Sequence, residues 1–310
     1  MPELIKINHP RGRFVGWHDE SAIGTKRGSM GTTPGYARRR LGAKLKDGRK
    51  RLGWTLDQVA AEFGWDGSKV SRIENAKSPI SRHDMVKLGT LYGFSTADLD
   101  SMEGWRENGR DVQWWASYRD ILTGSYEELI SLENEAARIV TATSCWIPGL
   151  LQVPAYARAV IAASPFVTDP DDASALVEIR TRRQKLLTDT SPVEYTALLG
   201  EALLHARIGS LDVHREQLAH LLQVSNLPNV EVLIAPFTAP FLIGGECSIL
   251  EFATPDDPSV VYVEYQDGAT FRETHRDLAR FDRKLSRTRE TCVTAEASRA
   301  LIQARLDALT

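Results

Sequence analysis

Cysteine is scarce in this chain: Cys145, Cys247 and Cys292 are the only three in 310 residues, far apart and odd in number. No CxxC pair occurs, which excludes a zinc ribbon or a disulfide framework as the basis of the fold. Reduced thiols inside a cytoplasmic protein are the expected state. No apolar run approaches the roughly 18 residues that a membrane-spanning helix needs. The opening "MPELIKINHP" lacks the apolar centre of an export signal. Also missing are GxSxG, HExxH, GxGxxG and phosphate-loop motifs, so no common nucleophile, zinc or nucleotide chemistry has sequence support. His205, His214 and His220 lie near one another, but a Gly-Ser break separates the first two. The last two are six apart, on different faces of a predicted helix, so no metal set is expected, nor any other cofactor.

What is present is an uneven distribution of charge. The net charge of −3 conceals 12 Lys and Arg against 5 Asp and Glu over residues 36–82, and 21 against 33 over residues 83–310. A basic block beside an acidic remainder turns the N-terminal part toward a polyanion, most commonly phosphate backbone, although a solvated basic face gives the same count.

The length accommodates two domains. Residues 1–35, rich in Gly, Thr, Ser and Pro and without a period, read as a flexible leader, with Met30 a candidate alternative start. Residues 36–100 read as an all-α domain of five short helices. The first runs from Arg38 to Leu52. The second is capped by Thr55 and ends at Gly64, the third covers 67–75, the fourth 82–92, and Ser95 or Thr96 caps the fifth. Residues 101–125 form a helical connector whose Trp105, Trp114 and Trp115 either pack it onto a neighbour or wall a ligand pocket. Residues 126–310 mix predicted helices (126–141, 154–163, 172–188, 211–224, 275–290, 294–308) with strands (193–199, 229–237, 247–252, 259–273). In the last strand-like run Asp267-Gly268 signals a tight hairpin with positive φ at both turn residues. The expected second domain is therefore α+β with a mainly antiparallel sheet.

The spacing that carries chemistry is Ala60-x3-Gly64-x5-Val70-x2-Ile73. Two helices that cross steeply at close range need a small residue at the contact, Ala60, and a turn residue free to take positive φ, Gly64. Val70 and Ile73 then fasten the second helix by one edge. Its other faces, and above all its first turn, stay free to enter a DNA major groove.

The stretch "LGAKLKDGRKRLGWTLDQVAAEFGWDGSKVSRIENAKSPIS", with "SRIE" (71–74) among its more specific marks, resembles the repressor-type helix-turn-helix of XRE-like bacterial regulators. Downstream, "PGLLQVPAYAR" (148–158), "IRTRRQKLL" (179–187), "NVEVLIAPF" and "VVYVEYQDG" resemble the C-terminal domain of unknown function of an actinobacterial subgroup of those regulators. The resemblance implies transcription regulation, often tied to development or specialised metabolism, and sometimes a small partner protein encoded nearby. It implies no established ligand. Three positions depart from the pattern: Leu56 where the family has Gln, Val153 where Thr follows "PGLLQ", and Gly67 where Pro is frequent.

On this reading Ser68, Lys69 and Arg72 are the candidate base contacts, with Arg72 able to bond a guanine bidentately. The alternative for Arg72 is an internal pair with Glu62 or Glu74. Ser71, Asn75, Lys77 and Thr55 are the candidate phosphate contacts. Arg38, Arg39 and Arg40 form a basic arm along a groove, or simply a solvated helix start. Glu74 is assigned a bracing role, on the helix or on an Arg. The expected protein is a DNA-binding transcription regulator, a homodimer on double-stranded operator DNA. Its second domain dimerises and senses a small-molecule effector or a protein partner. The candidate pocket residues are Trp114, Trp115, Glu201 and Glu264. Two further readings are an antitoxin-like module controlled by a partner, and a DNA-tethered enzyme whose Glu201, Glu264 and Glu273 meet in one cleft.

Overall fold

The computed structural model describes residues 36–108, 114–165, 167, 169–240, 243–253, 258–265 and 268–309. The expected leader, residues 1–35, lies outside them, as does Asp267. The N-terminal region is helical: α1 (Tyr36–Arg51), α2 (Leu56–Phe63), α3 (Gly67–Glu74), α4 (Arg82–Leu91) and α5 (Thr96–Asn108). Leu41, Leu45, Val59, Ala60, Val70, Ile73, Met85, Leu88 and Met102 make its core. The cap signals act as their chemistry dictates. Thr55, Asp66 and Ser81 each accept a backbone N–H from the first turn of the helix that follows. The fifth helix runs on through the first part of the expected connector, and Trp105 packs against the helical core.

The second domain is α+β, built on a six-stranded mixed sheet of order β3-β2-β1-β4-β5-β6. Its strands are β1 (Ala136–Thr143), β2 (Glu194–Gly200), β3 (Val230–Ala235), β4 (Glu246–Phe252), β5 (Val260–Tyr265) and β6 (Gly268–Arg272). The pairings β1–β2 and β2–β3 are parallel; β1–β4, β4–β5 and β5–β6 are antiparallel. The expectation of a mainly antiparallel sheet holds. Around it stand α6 (Gly124–Glu135), α7 (Pro154–Ala162), α8 (Pro170–Arg183), α9 (Ala202–His205), α10 (Leu211–Val224), α11 (His275–Thr291) and α12 (Ala295–Asp307).

One sheet face, with Ile139, Tyr195, Leu199, Val232, Leu250 and Tyr262, is covered by α6, α10 and α12 and forms the larger core. The other, with Ala142, Leu198, Leu233, Ile249 and Val261, is covered by Leu278, Phe281 and Leu285 of α11. The edge strand β3 is not left open: Val293 donates to the Ile234 carbonyl and Ser298 Oγ accepts the Ile234 N–H.

Two expectations need correction. The helix read over 126–141 ends at Glu135, and 136–143 is β1, the strand between the parallel and antiparallel halves of the sheet. Because β1 is packed on both faces, it lacks the polar alternation that marks a strand. Its leading Ala136-Ala137-Arg138 reads as helix by propensity. The hairpin joining β5 to β6 is present, but Gly268 pairs with Tyr265 as the first residue of β6.

The two domains meet along α1 and α6. Glu135 Oε1 accepts the Ala37 N–H at 3.2 Å, and Arg39 Nη2 lies 2.5 Å from Glu128 Oε1. Burial pushes the Glu135 carboxyl up to about 7. The unfolded chain ionises this group near the ordinary glutamate value, while the folded chain keeps its proton. Stability is therefore complete below that value and is lost as pH rises through about 7. Glu135→Gln, which retains an acceptor for Ala37, is expected to match the wild type near pH 4. Near pH 8 it should exceed the wild type by up to about 2 kcal/mol. Denaturant titrations of both chains across that range check this, and a pH-independent difference would remove Glu135 as the titrating group.

Candidate nucleic-acid interface

The turn between α2 and α3 is built on Gly64, whose φ of 65° and ψ of 33° are left-handed and favour glycine. At Gly67, the departure in the first turn of α3, an added Cβ would meet only the end of the exposed Asp57 side chain, which can swing aside, so nothing in the structure requires glycine there. Asp66 caps α3 by accepting the Ser68 N–H at 2.7 Å. Val70 and Ile73 are buried as expected, so α3 is held by one edge.

The bracing acid is Glu74, 5% exposed, and its partner is Arg49 of α1. Arg49 Nε and Nη2 meet the two carboxylate oxygens at 2.7 and 2.8 Å, and its Nη1 donates to the Trp54 carbonyl at 2.8 Å. This bidentate bond holds the Arg49 guanidinium above its ordinary value. Arg72 is consequently not paired with Glu74. Its side chain is exposed and makes no hydrogen bond or ion pair among the described residues.

With α3 fixed in this way, Ser68, Arg72 and Asn75, at spacing i, i+4, i+7, form one exposed face with Ser71 beside it. Asn75 caps the C-terminus by donating Nδ2–H to the Ser71 carbonyl at 2.8 Å. The chain then turns through Ala76, at φ 58°, and the Lys77 N–H returns to the Arg72 carbonyl at 2.7 Å. That leaves the Lys77 side chain exposed past the helix end.

Other expected contacts are placed differently. Lys69 is tied internally: its ammonium lies 2.9 Å from Asp84 Oδ2 and 3.7 Å over the Trp65 ring. The Thr55 N–H is taken by Gln58 Oε1 at 2.7 Å in a capping box, so only the Thr55 hydroxyl proton stays free to donate. The triplet Arg38-Arg39-Arg40 is not an arm. It lies half-buried within α1, Arg39 pairing with Glu128 across the domain junction and Arg40 stacking 4.1 Å over Trp105.

A helix-turn-helix domain model matches residues 40–102, and a domain of unknown function, DUF5753, matches residues 126–304. The second match spans more than half of the chain. The chain belongs to the DUF5753 family. No curated protein and no solved structure matches it.

In the DUF5753 region the stretch "PGLLQ" is a buried loop whose polar groups are met by side chains. Gln152 donates to the Ile147 carbonyl and accepts from Arg180, Gln184 donates to the Gly149 and Gln152 carbonyls, and Gln217 bonds both Leu151 and Val153. Val153, the departure, is the N-cap of α7 and gives it no side-chain bond. A Thr there would add about 1 kcal/mol of capping. "IRTRRQKLL" supplies Arg180 and Gln184 to this loop, Arg182 to the Trp114 ring at 4.5 Å, and Arg183 to Glu133.

The four candidate pocket residues are not brought together. Trp115 is buried with Leu122, Ile130 and Ile179, and Trp114 packs edge-on against it, so these aromatics dock the connector onto α6 and α8. Glu201 accepts the Phe237 N–H at 2.7 Å just past β2. That position is three strands from Glu264 on β5, about 14 Å at the usual strand spacing. Glu273 is exposed beyond β6. His214 is a core residue, with Nε2 3.0 Å from the Leu204 carbonyl. No group of three His, Cys, Asp or Glu able to hold a metal occurs among the described residues, and no described helix is long and apolar enough to cross a membrane. Two elements escaped the sequence reading. Arg49 carries no local signal distinguishing it from its basic neighbours Lys50 and Arg51, and the anchoring of Lys69 depends on Asp84, fifteen residues away.

Proposed function

We propose that this protein is a sequence-specific transcription regulator of the XRE type, acting as a homodimer on double-stranded DNA. Its DUF5753 domain mediates dimerisation and senses an effector or a small protein partner. The observation that carries the reading is the exposed face of α3, with Ser68, Arg72 and Asn75 exposed and Ser71 half-buried beside them, on a helix clamped by Val70, Ile73 and the Arg49–Glu74 pair. Arg72 is the principal base contact, and Ser68 reads beside it. Lys69 joins them only by exchanging Asp84 for a base or phosphate. Ser71, Asn75, Lys77 and the Thr55 hydroxyl hold phosphates. Two such helices about 34 Å apart would read successive major grooves of one duplex face. The regulator reading is favoured over the enzyme reading because Glu201, Glu264 and Glu273 do not converge.

Arg72→Ala is expected to weaken operator binding by roughly 1–3 kcal/mol while leaving non-specific binding nearly intact. Lys77→Ala should weaken both equally and lower the salt slope by about one unit. Mapping the genomic sites bound by the intact chain supplies the operator, and gel-shift titrations at several salt concentrations supply the affinities. Equal losses for Arg72→Ala on operator and random DNA would reduce Arg72 to a phosphate contact. No retention of any genomic fragment at low salt would end the reading.

A further inference from the structure

Residues 83–310 are acidic as a whole, with 21 Lys and Arg against 33 Asp and Glu, yet one helix within them is not. α11 carries six Lys and Arg against three acids. Its apolar side chains Leu278, Phe281 and Leu285 lie on the face that covers the sheet. Arg276, Arg280, Arg283 and Arg287 follow one another at i, i+4, i+7 and i+11, which places them in one row on the opposite face. All four are exposed, and none of their side chains makes a hydrogen bond or ion pair with any described residue.

The acids of the helix do not cancel this row. Asp277 closes the N-terminal cap, its carboxylate accepting the Thr274 hydroxyl at 2.8 Å and its N–H donating back at 3.1 Å. Asp282 lies on the flank of the helix, and Glu290 stands past the last arginine. The other cations are committed, Arg289 to Glu231 at 2.7 Å and Lys284 over the Phe281 ring at 5.3 Å. Arg276, Arg280 and Arg283 line an open recess with Thr274 and Asp277. Four guanidinium groups thus stand over about 16 Å of helix rise, backed by the sheet. Like charges at i, i+4 repel, so the row costs the helix stability that a bound anion would return.

The chemistry of the row narrows its partner. A protein interface is anchored near its centre by aromatic or large aliphatic side chains. The exposed residues between these arginines are Ala279, Asp282 and Ser286, none of which is such an anchor. A phosphate backbone needs none: repeated positive charge binds it, and the arginine fork matches phosphate oxygens bidentately. Position agrees. Glu273, just before α11, acts electrostatically on Glu128, and Glu128 pairs with Arg39 of α1. α1 packs directly on the end of α3, where a Cβ at Gly42 would stand 2.7 Å from the Glu74 carbonyl. The row therefore starts at the junction that carries the helix-turn-helix.

We infer that Arg276, Arg280, Arg283 and Arg287 of α11 form a second DNA-binding surface, which holds backbone phosphates flanking the base pairs read by α3. The inference rests on the reading of the chain as a DNA-binding regulator, and gives the DUF5753 domain a direct part in the contact. Phosphate contacts fix register and add affinity without reading sequence. The row accordingly lengthens the bound DNA without changing which bases are recognised.

The double change Arg280→Gln with Arg283→Gln, made in the full chain, tests this. Both positions are exposed and Gln matches Arg in helix propensity, so the fold is expected to stand. The control is Arg158→Gln with Arg207→Gln, which removes the same charge at exposed positions on α7 and between α9 and α10. On genomic fragments that the wild type retains, the α11 variant is expected to bind about tenfold more weakly near physiological salt and to lose about two units of salt slope per protomer. The control should lose neither. On fragments trimmed to the base pairs that α3 protects, wild type and α11 variant should bind alike. Hydroxyl-radical footprints should show flanking protection by the wild type that the α11 variant lacks. An unchanged slope and footprint for the α11 variant, or an equal loss in the control, overturns the second surface and leaves the regulator reading standing; the row would then face an acidic protein or solvent. Failure of the wild type to retain any genomic fragment removes the regulator reading itself, and this surface with it.

Discussion

Arg183→Met is expected to destabilise the DUF5753 domain by about 3–5 kcal/mol, because it strands a buried carboxylate. Arg183 and Glu133 are 6% and 4% exposed, and the guanidinium closes a bidentate pair at 2.7 and 2.6 Å while donating to the Tyr126 hydroxyl at 2.7 Å. The pair ties α8 to α6 beneath the buried "PGLLQ" loop, and a Cβ at Gly149 would stand 3.4 Å from the same guanidinium. Methionine keeps much of the side-chain volume but none of the charge, so the loss is electrostatic rather than a cavity. For a domain of this size the shift in midpoint is roughly 2–4 °C per kcal/mol, or about 10 °C in all. The double change Arg183→Met with Glu133→Leu removes both charges and should recover most of the loss. Differential scanning calorimetry of the four chains of this cycle measures the coupling. Additive losses would show that the two groups do not depend on each other.

How much of this was legible in the sequence depended on the range over which each feature is determined. The helix-turn-helix is specified locally. Ala60, Gly64, Val70 and Ile73 lie within fourteen residues of one another, and each is fixed by sterics that a spacing can express. The caps at Thr55 and Ser81 are similarly local. Strands β2 to β6 announced themselves by β-branched runs, whereas β1 did not, because a strand packed on both faces has no pattern of its own. The buried pairs were the least legible. Arg49 reaches Glu74 across 25 residues and Arg183 reaches Glu133 across 50, and only the fold brings them together. For the same reason the sequence suggests Glu201 and Glu264 as partners, yet the strand order separates them. Glu246, the actual neighbour of Glu264, was hidden in an ordinary-looking strand start.

The second large effect is expected at the other buried pair. Arg49→Met should cost the helix-turn-helix domain about 3–5 kcal/mol, a large share of the total for a region of this size. It leaves Glu74 charged against the Val70 and Ile73 edge, and the Trp54 carbonyl loses the 2.8 Å bond from Arg49. Tyr92, whose buried hydroxyl has no partner among the described residues, also stands against this pair and cannot replace the guanidinium charge. The expected result is that α3 loses its fixed orientation and specific DNA binding disappears, while the transition of the DUF5753 domain keeps its midpoint. Calorimetry that resolves the two transitions, run beside the gel-shift titration, checks both parts. Arg72→Ala provides the contrast, since it should lower operator affinity without moving either transition. If Arg49→Met left α3 intact and binding unchanged, the clamp would not be what presents the exposed face. Recovery of the melting transition by adding Glu74→Gln, without recovery of DNA binding, would separate two roles of the pair. One is holding the domain together; the other is setting the angle at which Ser68 and Arg72 meet the groove.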